Sequence, residues 1–177
     1  TGVETLATNG NPMDNRGRFE ECHDLVIKTW TTPGPFRWEG EHYNFRVVNP
    51  WIVPIQKPHP PIWVPGSASP ETAIWCGEHG YTYVAFLTDL DVTEELFGHY
   101  REASIGAGLQ PSKDNFGYLL CCYVAETQEK ADEEAQHFIW RMGTTTRGPR
   151  EYMAPVGYRT QAGQAVAARR QGEKPLA

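Results

Sequence analysis

The stretch Pro61-Ile62-Trp63-Val64-Pro65-Gly66-Ser67-Ala68-Ser69-Pro70-Glu71-Thr72 decides how the rest of the chain is read. An apolar run this short, closed by proline at both ends and lacking alternation, reads as a strand buried on both faces. Gly66 to Ser69 then turn the chain. Ser69 before Pro70 is an ordinary helix start, with a hydroxyl at the N-cap and proline at the first helical position. The helix should run from Pro70 to Glu78, and His79-Gly80 should stop it.

The same rhythm repeats downstream. Tyr81 to Leu87 reads as a second apolar strand, and about Thr93 to Ala103 as an amphipathic helix with Leu96, Phe97 and Tyr100 inward. Phe116 to Ala125 reads as a third strand. Thr127 should cap a helix carrying Ala131, Ala135, Phe138, Ile139 and Met142 on one face. Three strand–helix units of about 28 residues each are the signature of a parallel α/β sheet.

Upstream, Arg18 to Trp30 predicts a helix with Phe19, Cys22, His23, Val26, Ile27 and Trp30 inward. Glu20, Glu21, Asp24 and Lys28 fall opposite, and Asp14 or Asn15 can cap it. Pro33-Gly34-Pro35 ends it. Phe36 to Val48 reads as a hairpin turning at Gly40-Glu41, and Asn49 to Pro61, with five prolines, must lie extended.

Composition narrows the function classes. The 177 residues carry 16 Lys+Arg and 22 Asp+Glu, a formal charge of −6. Binding a phosphate backbone needs a basic face, so a nucleic-acid partner is not expected. No apolar run approaches the roughly 20 residues of a membrane span, and no membrane partner is expected. The basic residues collect late: residues 141–177 hold seven basic and two acidic side chains. They read as a basic tail, weakly structured or the remainder of a barrel. Cys22, Cys76, Cys121 and Cys122 show no CxxC spacing, so buried reduced thiols in a cytoplasmic protein are expected. HExxH, GxGxxG and a nucleophile elbow are missing, which disfavours metalloenzyme, dinucleotide-binding and hydrolase readings; no metal is expected.

Other residues with chemical potential have structural readings. His59 between prolines and His23 on the inner helix face read as structural, and Trp30, Trp63, Trp75 and Trp140 as core. Trp51, in Asn-Pro-Trp, is the candidate for a substrate entrance.

The chain resembles the bacterial luciferase-like flavin monooxygenase family. The resemblance rests on Thr1-Gly-Val-Glu-Thr-Leu6, Arg18-Phe-Glu-Glu-Cys-His-Asp-Leu25, Trp30-Thr-Thr-Pro-Gly-Pro-Phe36, Gly40-Glu-His-Tyr43, Val48-Asn-Pro-Trp51 and Gln56-Lys-Pro-His-Pro-Pro-Ile-Trp-Val-Pro-Gly-Ser67, in that order. It implies an incomplete (β/α)8 TIM barrel, with the first four strands and the last missing and the start of the protein upstream of Thr1. Residues 1–143 would be the partial barrel, with an insertion at about 31–60, and 144–177 the tail. The family's catalytic and flavin-ring contacts would lie upstream, so no catalytic residue is assigned.

The resemblance further implies a flavin-dependent oxidoreductase in which reduced FMN and oxygen deliver one oxygen atom to a small organic substrate. A separate flavin reductase as partner and a homodimer are also implied. A deazaflavin-dependent dehydrogenase or reductase of the same superfamily, or a non-catalytic half-barrel binding module, are the alternatives. The turn Gly66-Ser67-Ala68-Ser69 falls where the family holds the flavin phosphate. Ser67 is the leading candidate, Gly66 and Ala68 would offer backbone, and Ser69 and Thr72 follow. Glycine lets backbone approach a ligand closely, and a helix N-terminus favours an anion. Pro70, without an N–H, and the negative Glu71 work against it. An incomplete barrel leaves open strand edges, so the isolated chain is expected to associate and to lack turnover.

Overall fold

The computed structural model describes residues 2–144, 152 and 154–170, and divides them into two units. The first comprises residues 1–62 with 155–158, the second residues 63–154 with 159–177.

In the first unit, a short helix α1 (Gly2–Ala7) leads through a 3-10 turn at Pro12–Asp14 into α2 (Asn15–Thr31). Asp14 stands at the α2 N-cap but makes no capping bond with its side chain; Asn11 instead accepts from the Met13 amide at 3.1 Å. The face expected to be inward is only partly covered. His23, Val26, Ile27 and Trp30 are half-buried, and Phe19 and Cys22 are exposed. The His59 ring lies 6.1 Å from that of Trp30, with its Nδ1 2.8 Å from the Pro60 carbonyl, as a structural histidine should.

β1 (Phe36–Glu39) and β2 (Asn44–Val48) form the expected antiparallel hairpin, pairing Trp38 with Phe45 and Glu39 with Asn44. Glu21 is not a solvent-face residue. Its carboxylate accepts from Trp38 Nε1 at 2.9 Å and from the backbone amides of His42 at 2.7 Å and Tyr43 at 3.0 Å, and so stitches the hairpin turn to α2. Helical periodicity correctly puts Glu21 opposite the apolar stripe, but cannot see that a hairpin 17 residues on returns to that face.

The second unit is a three-stranded parallel sheet in sequence order, β3 (Trp63–Gly66), β4 (Thr82–Phe86) and β5 (Phe116–Leu119). The register pairs Val64 with Tyr83 and Gly66 with Ala85, then Tyr83 with Phe116 and Ala85 with Tyr118. α3 (Pro70–His79) and α4 (Leu90–Gly106) connect the strands, and α5 (Gln128–Thr144) and α6 (Gln161–Arg170) follow. Thr127 caps α5 as expected, accepting from the Lys130 amide at 3.2 Å. The Ile139 and Met142 side chains, and that of Trp140, lie outside the described residues.

The core sits on one side of this sheet. Val64, Tyr83 and Ala85 are buried together with Ala73, Trp75 and Cys76 of α3 and Val92, Leu96 and Tyr100 of α4. The other side is open among the described residues, with Trp63 64% exposed. β3 is therefore buried on one face only, and Trp63 is not a core residue, because the helices described here cover a single face.

β5 is shorter than its apolar run. Its last pair is Leu119 with Phe86, after which Leu87 turns β4 away in the left-handed region (φ +51°). Leu120 to Val124 lose their ladder partner, and Leu120, Tyr123 and Val124 are exposed. α4 also starts earlier than its hydrophobic stripe, where the Thr93 hydroxyl meets Thr88 Oγ1 at 2.6 Å and donates to the Asp89 carbonyl at 2.8 Å. Of the four cysteines only Cys76 is buried; Cys22, Cys121 and Cys122 are exposed, and none of the four is in a disulfide. Among the described residues, no helix is long and apolar enough to cross a membrane.

Two glycines in these helices have opposite meanings. In α3, a Cβ on Gly77 would run into the Tyr100 carbonyl and, at 3.2 Å, the Ala103 Cβ, so α3 and α4 touch backbone to backbone there. In α4, a Cβ on Gly98 would meet nothing within 4 Å. Gly77→Ala should destabilise the fold by about 1–3 kcal/mol through overpacking, while Gly98→Ala should stabilise it by about 0.5–1 kcal/mol through helix propensity. Chemical denaturation of the two variants checks the opposite signs.

Partial burial pushes the Glu21 carboxyl up, but the bonds from Trp38, His42 and Tyr43, with the His42 ring nearby, outweigh it and hold the group below its ordinary value of 4.5. A depressed carboxyl stabilises the folded state above its unfolded value, and that contribution is lost as the pH falls through the folded one. The Trp38 indole N–H resonance should therefore hold steady above pH 4.5 and move only in more acid solution. In Glu21→Gln this acid step should vanish.

Candidate functional site

The parallel sheet delivers β3 to a turn at its C-terminal end, the end at which α/β folds bind ligands. Gly66, Ser67, Ala68, Ser69 and Thr72 come together there, between the end of β3 and the first turn of α3. They do different work. Ser69 is the N-cap of α3: its Oγ accepts from the Thr72 amide at 3.3 Å and the Thr72 hydroxyl at 3.1 Å, and donates to Glu71 Oε2 at 2.9 Å. Ser69 and Thr72 are thus engaged with each other in starting the helix. Ala68 is buried.

Ser67 is different. It is half-buried, and among the described residues its hydroxyl has no hydrogen-bond partner. A polar group in that state is available to a ligand, whereas a cap is already satisfied.

Gly66 is a cradle that a side chain would fill. A Cβ there would lie 2.7 Å from both Cε2 and Oη of Tyr83, so only glycine lets β3 end so close to the Tyr83 ring. Tyr83 is fully buried, packs edge-to-face on Phe97 at 6.3 Å, and its hydroxyl has no hydrogen-bond partner. Burial, aided by the neighbouring Cys76, pushes the Tyr83 hydroxyl far above its ordinary value, so it stays protonated.

Sequence reasoning found no motif beyond residue 144, yet part of that region meets this turn. Thr160 stands before α6, accepting from the Gly163 amide at 3.1 Å, and its hydroxyl donates to the Glu71 carboxylate. A Cβ on Gly163 would be 3.2 Å from the Ala68 carbonyl, and Val166 and Ala167 are buried. The available signal was the cluster of small residues in Gln161-Ala-Gly-Gln-Ala-Val-Ala-Ala168, which suits close helix packing. Residues 145–151, 153 and 171–177 of the tail lie outside the described residues.

Glu71 is accordingly not a bare charge in the mouth of the turn. Ser69 and Thr160 both donate to it, which offsets part of its repulsion toward an anion. The helix dipole of α3, the free Ser67 hydroxyl and the bare Gly66 backbone remain to favour a negative group. Trp51, the other residue set apart by the sequence, belongs to the first unit and is 92% exposed.

Residues 2–175 match the family model described as luciferase-like monooxygenase. The chain belongs to the luciferase-like monooxygenase family. Two solved structures share its fold. The monooxygenase RslO1 from Streptomyces bottropensis is 24% identical with a TM-score of 0.68, over 79% of this chain and 43% of that one. The second is a type II Baeyer-Villiger monooxygenase, the oxygenating constituent of 3,6-diketocamphane monooxygenase from the CAM plasmid of Pseudomonas putida, solved in complex with FMN. It is 21% identical with a TM-score of 0.57, over 88% of this chain and 44% of that one. The chain spans less than half the length of these two proteins.

The two serines of the turn should separate stability from binding. Ser69→Ala removes a cap and should lower stability by about 1 kcal/mol. Ser67→Ala removes a hydroxyl with no internal partner and should stay within about 0.5 kcal/mol of the parent. Thermal unfolding of the two variants measures both.

Proposed function

We propose that the turn Gly66–Ser69 holds the phosphate of FMN, and that the protein is part of a flavin-dependent monooxygenase acting on a small organic substrate with oxygen. The observation that carries this reading is the unpartnered Ser67 hydroxyl beside the bare Gly66 backbone at the C-terminal end of β3. Membership of the luciferase-like family supports it, and so does the FMN bound to a protein of the same fold.

The chain's own residues divide the work. Ser67 donates to a phosphate oxygen, Gly66 and Ala68 present backbone, and α3 directs its positive end at the charge. Ser69 and Thr72 hold the helix start in place, and Ser69 with Thr160 keeps the Glu71 carboxylate occupied. When bound, FMN supplies the redox chemistry. The protein's contribution is to fix the cofactor tail so that the reactive ring is positioned against substrate and water is kept out. A reductase that delivers reduced FMN and a second copy of the chain as partner belong to the same proposal.

Flavin fluorescence titrations with FMN and with riboflavin, which lacks the phosphate, test it. The protein should bind FMN more tightly than riboflavin, and Ser67→Ala should weaken FMN about tenfold, the value of one charge-assisted hydrogen bond. Equal affinity for FMN in parent and variant would remove Ser67 from the site.

A further inference from the structure

The connection from α4 to β5 borders a cavity of about 320 Å³, lined by Phe97 and Arg101 of α4, by Pro111, Ser112 and Lys113, and by Phe116. Phe116 is the first residue of β5 and Gly66 the last of β3, so the cavity lies at the N-terminal end of the strands and shares no lining residue with the Gly66 turn. It is open to solvent: Arg101, Ser112 and Lys113 are exposed, and Phe97, Pro111 and Phe116 are half-buried.

Its walls combine two chemistries. The Phe97 and Phe116 rings lie 4.6 Å apart, and the Arg101 guanidinium sits 4.8 Å from the centre of the Phe116 ring. Stacking of this kind engages the face of a guanidinium and leaves the N–H donors, which lie in its plane, for an acceptor. Among the described residues no oxygen accepts from Arg101 or from Lys113, although the chain carries 22 acidic side chains against 16 basic. Asp114 follows Lys113 in sequence but does not line the cavity. The backbone around Lys113 is fixed by Ser112, whose Oγ accepts from the Asp114 amide at 3.2 Å and donates to Asn115 Oδ1 at 3.3 Å. Two cations without an acceptor therefore meet over an aromatic floor, one of them already oriented by its ring.

We propose that this cavity binds a small aromatic carboxylate, with the ring against Phe97, Pro111 and Phe116 and the acid group on Arg101 and Lys113. The planar fork of a guanidinium matches the two oxygens of a carboxylate, and Lys113 adds a second positive charge. A volume at the lower end of small-molecule sites gives room for one ring and its acid group and not for a dinucleotide. The site is separate from the cofactor turn, and the proposal stands whether or not that turn holds a phosphate.

Isothermal titration of the chain with benzoate, benzamide and acetate tests it. Benzoate should bind, and benzamide, with the ring but no charge, and acetate, with the charge but no ring, should each bind at least about tenfold more weakly. Arg101→Gln should weaken benzoate about tenfold and Lys113→Gln less, and both side chains are exposed, so the variants should fold as the parent does. Ser67→Ala should leave benzoate within about twofold, because distant sites act independently. Benzoate that binds no better than benzamide, or equally well to the parent and to Arg101→Gln, would overturn the proposal. Acetate that matches benzoate would overturn it too, since the aromatic walls would then contribute nothing. Amide resonances locate the ligand: those of Ser112, Lys113 and Phe116 should shift with benzoate, and shifts confined to the Gly66–Ser69 turn would refute the assignment.

Discussion

The close approach of Gly66 to the Tyr83 ring is the constraint on which the second unit depends. Parallel neighbours in a sheet hold their backbones at a fixed spacing, so an aromatic side chain reaching along the sheet is tolerated only where the strand beside it lacks a Cβ. Gly66 supplies that gap at the last residue of β3. With it, Tyr83 can pack against the end of β3, Val64 and Ala85 can close the core around it, and β3 can pass into α3 through only three residues.

The same economy of space governs the helix layer. Gly77 lets α3 meet the backbone of α4 at Tyr100, which brings Tyr100 within reach of the Tyr81 carbonyl at the start of the next strand. Gly163 plays the corresponding part between α6 and the Ala68 carbonyl. These glycine contacts pack α3 and α6 closely around the turn, beside Ser69, Glu71 and Thr160. Precision at a site comes from the packing of its supporting elements.

Much of this was legible in the sequence. The proline-bounded run at residues 61–65, the Ser-Pro helix start and the His-Gly stop are local signals, and the strands and helices they announce appear where expected. The hairpin at residues 36–48 was equally plain from its turn residues. What local pattern could not carry was which face of each element would be covered. Trp63 reads as core because periodicity ignores what lies opposite, and Glu21 reads as a surface charge although three donors converge on it. The length of β5 depended on where β4 turned away at Leu87, a backbone event written in no residue of β5. At the candidate site it was visible that these residues share one turn, and their division of labour was not. Ser67 and Ser69 look alike in sequence, and only three dimensions separate a helix cap from an unpartnered hydroxyl. Tyr83 and Thr160, 16 and 93 residues from Ser67, had no sequence signal connecting them to the turn.

The central claim is that the turn at the end of β3 receives the anionic tail of a flavin cofactor. Amide hydrogen exchange with and without FMN addresses it most directly, because the observable is the backbone of the turn itself. The account requires the amides of Ser67, Ala68 and Ser69 to become protected when FMN is added and to remain unprotected with riboflavin. Exchange at these three amides that is indifferent to FMN, with protection arising elsewhere in the chain, would contradict it.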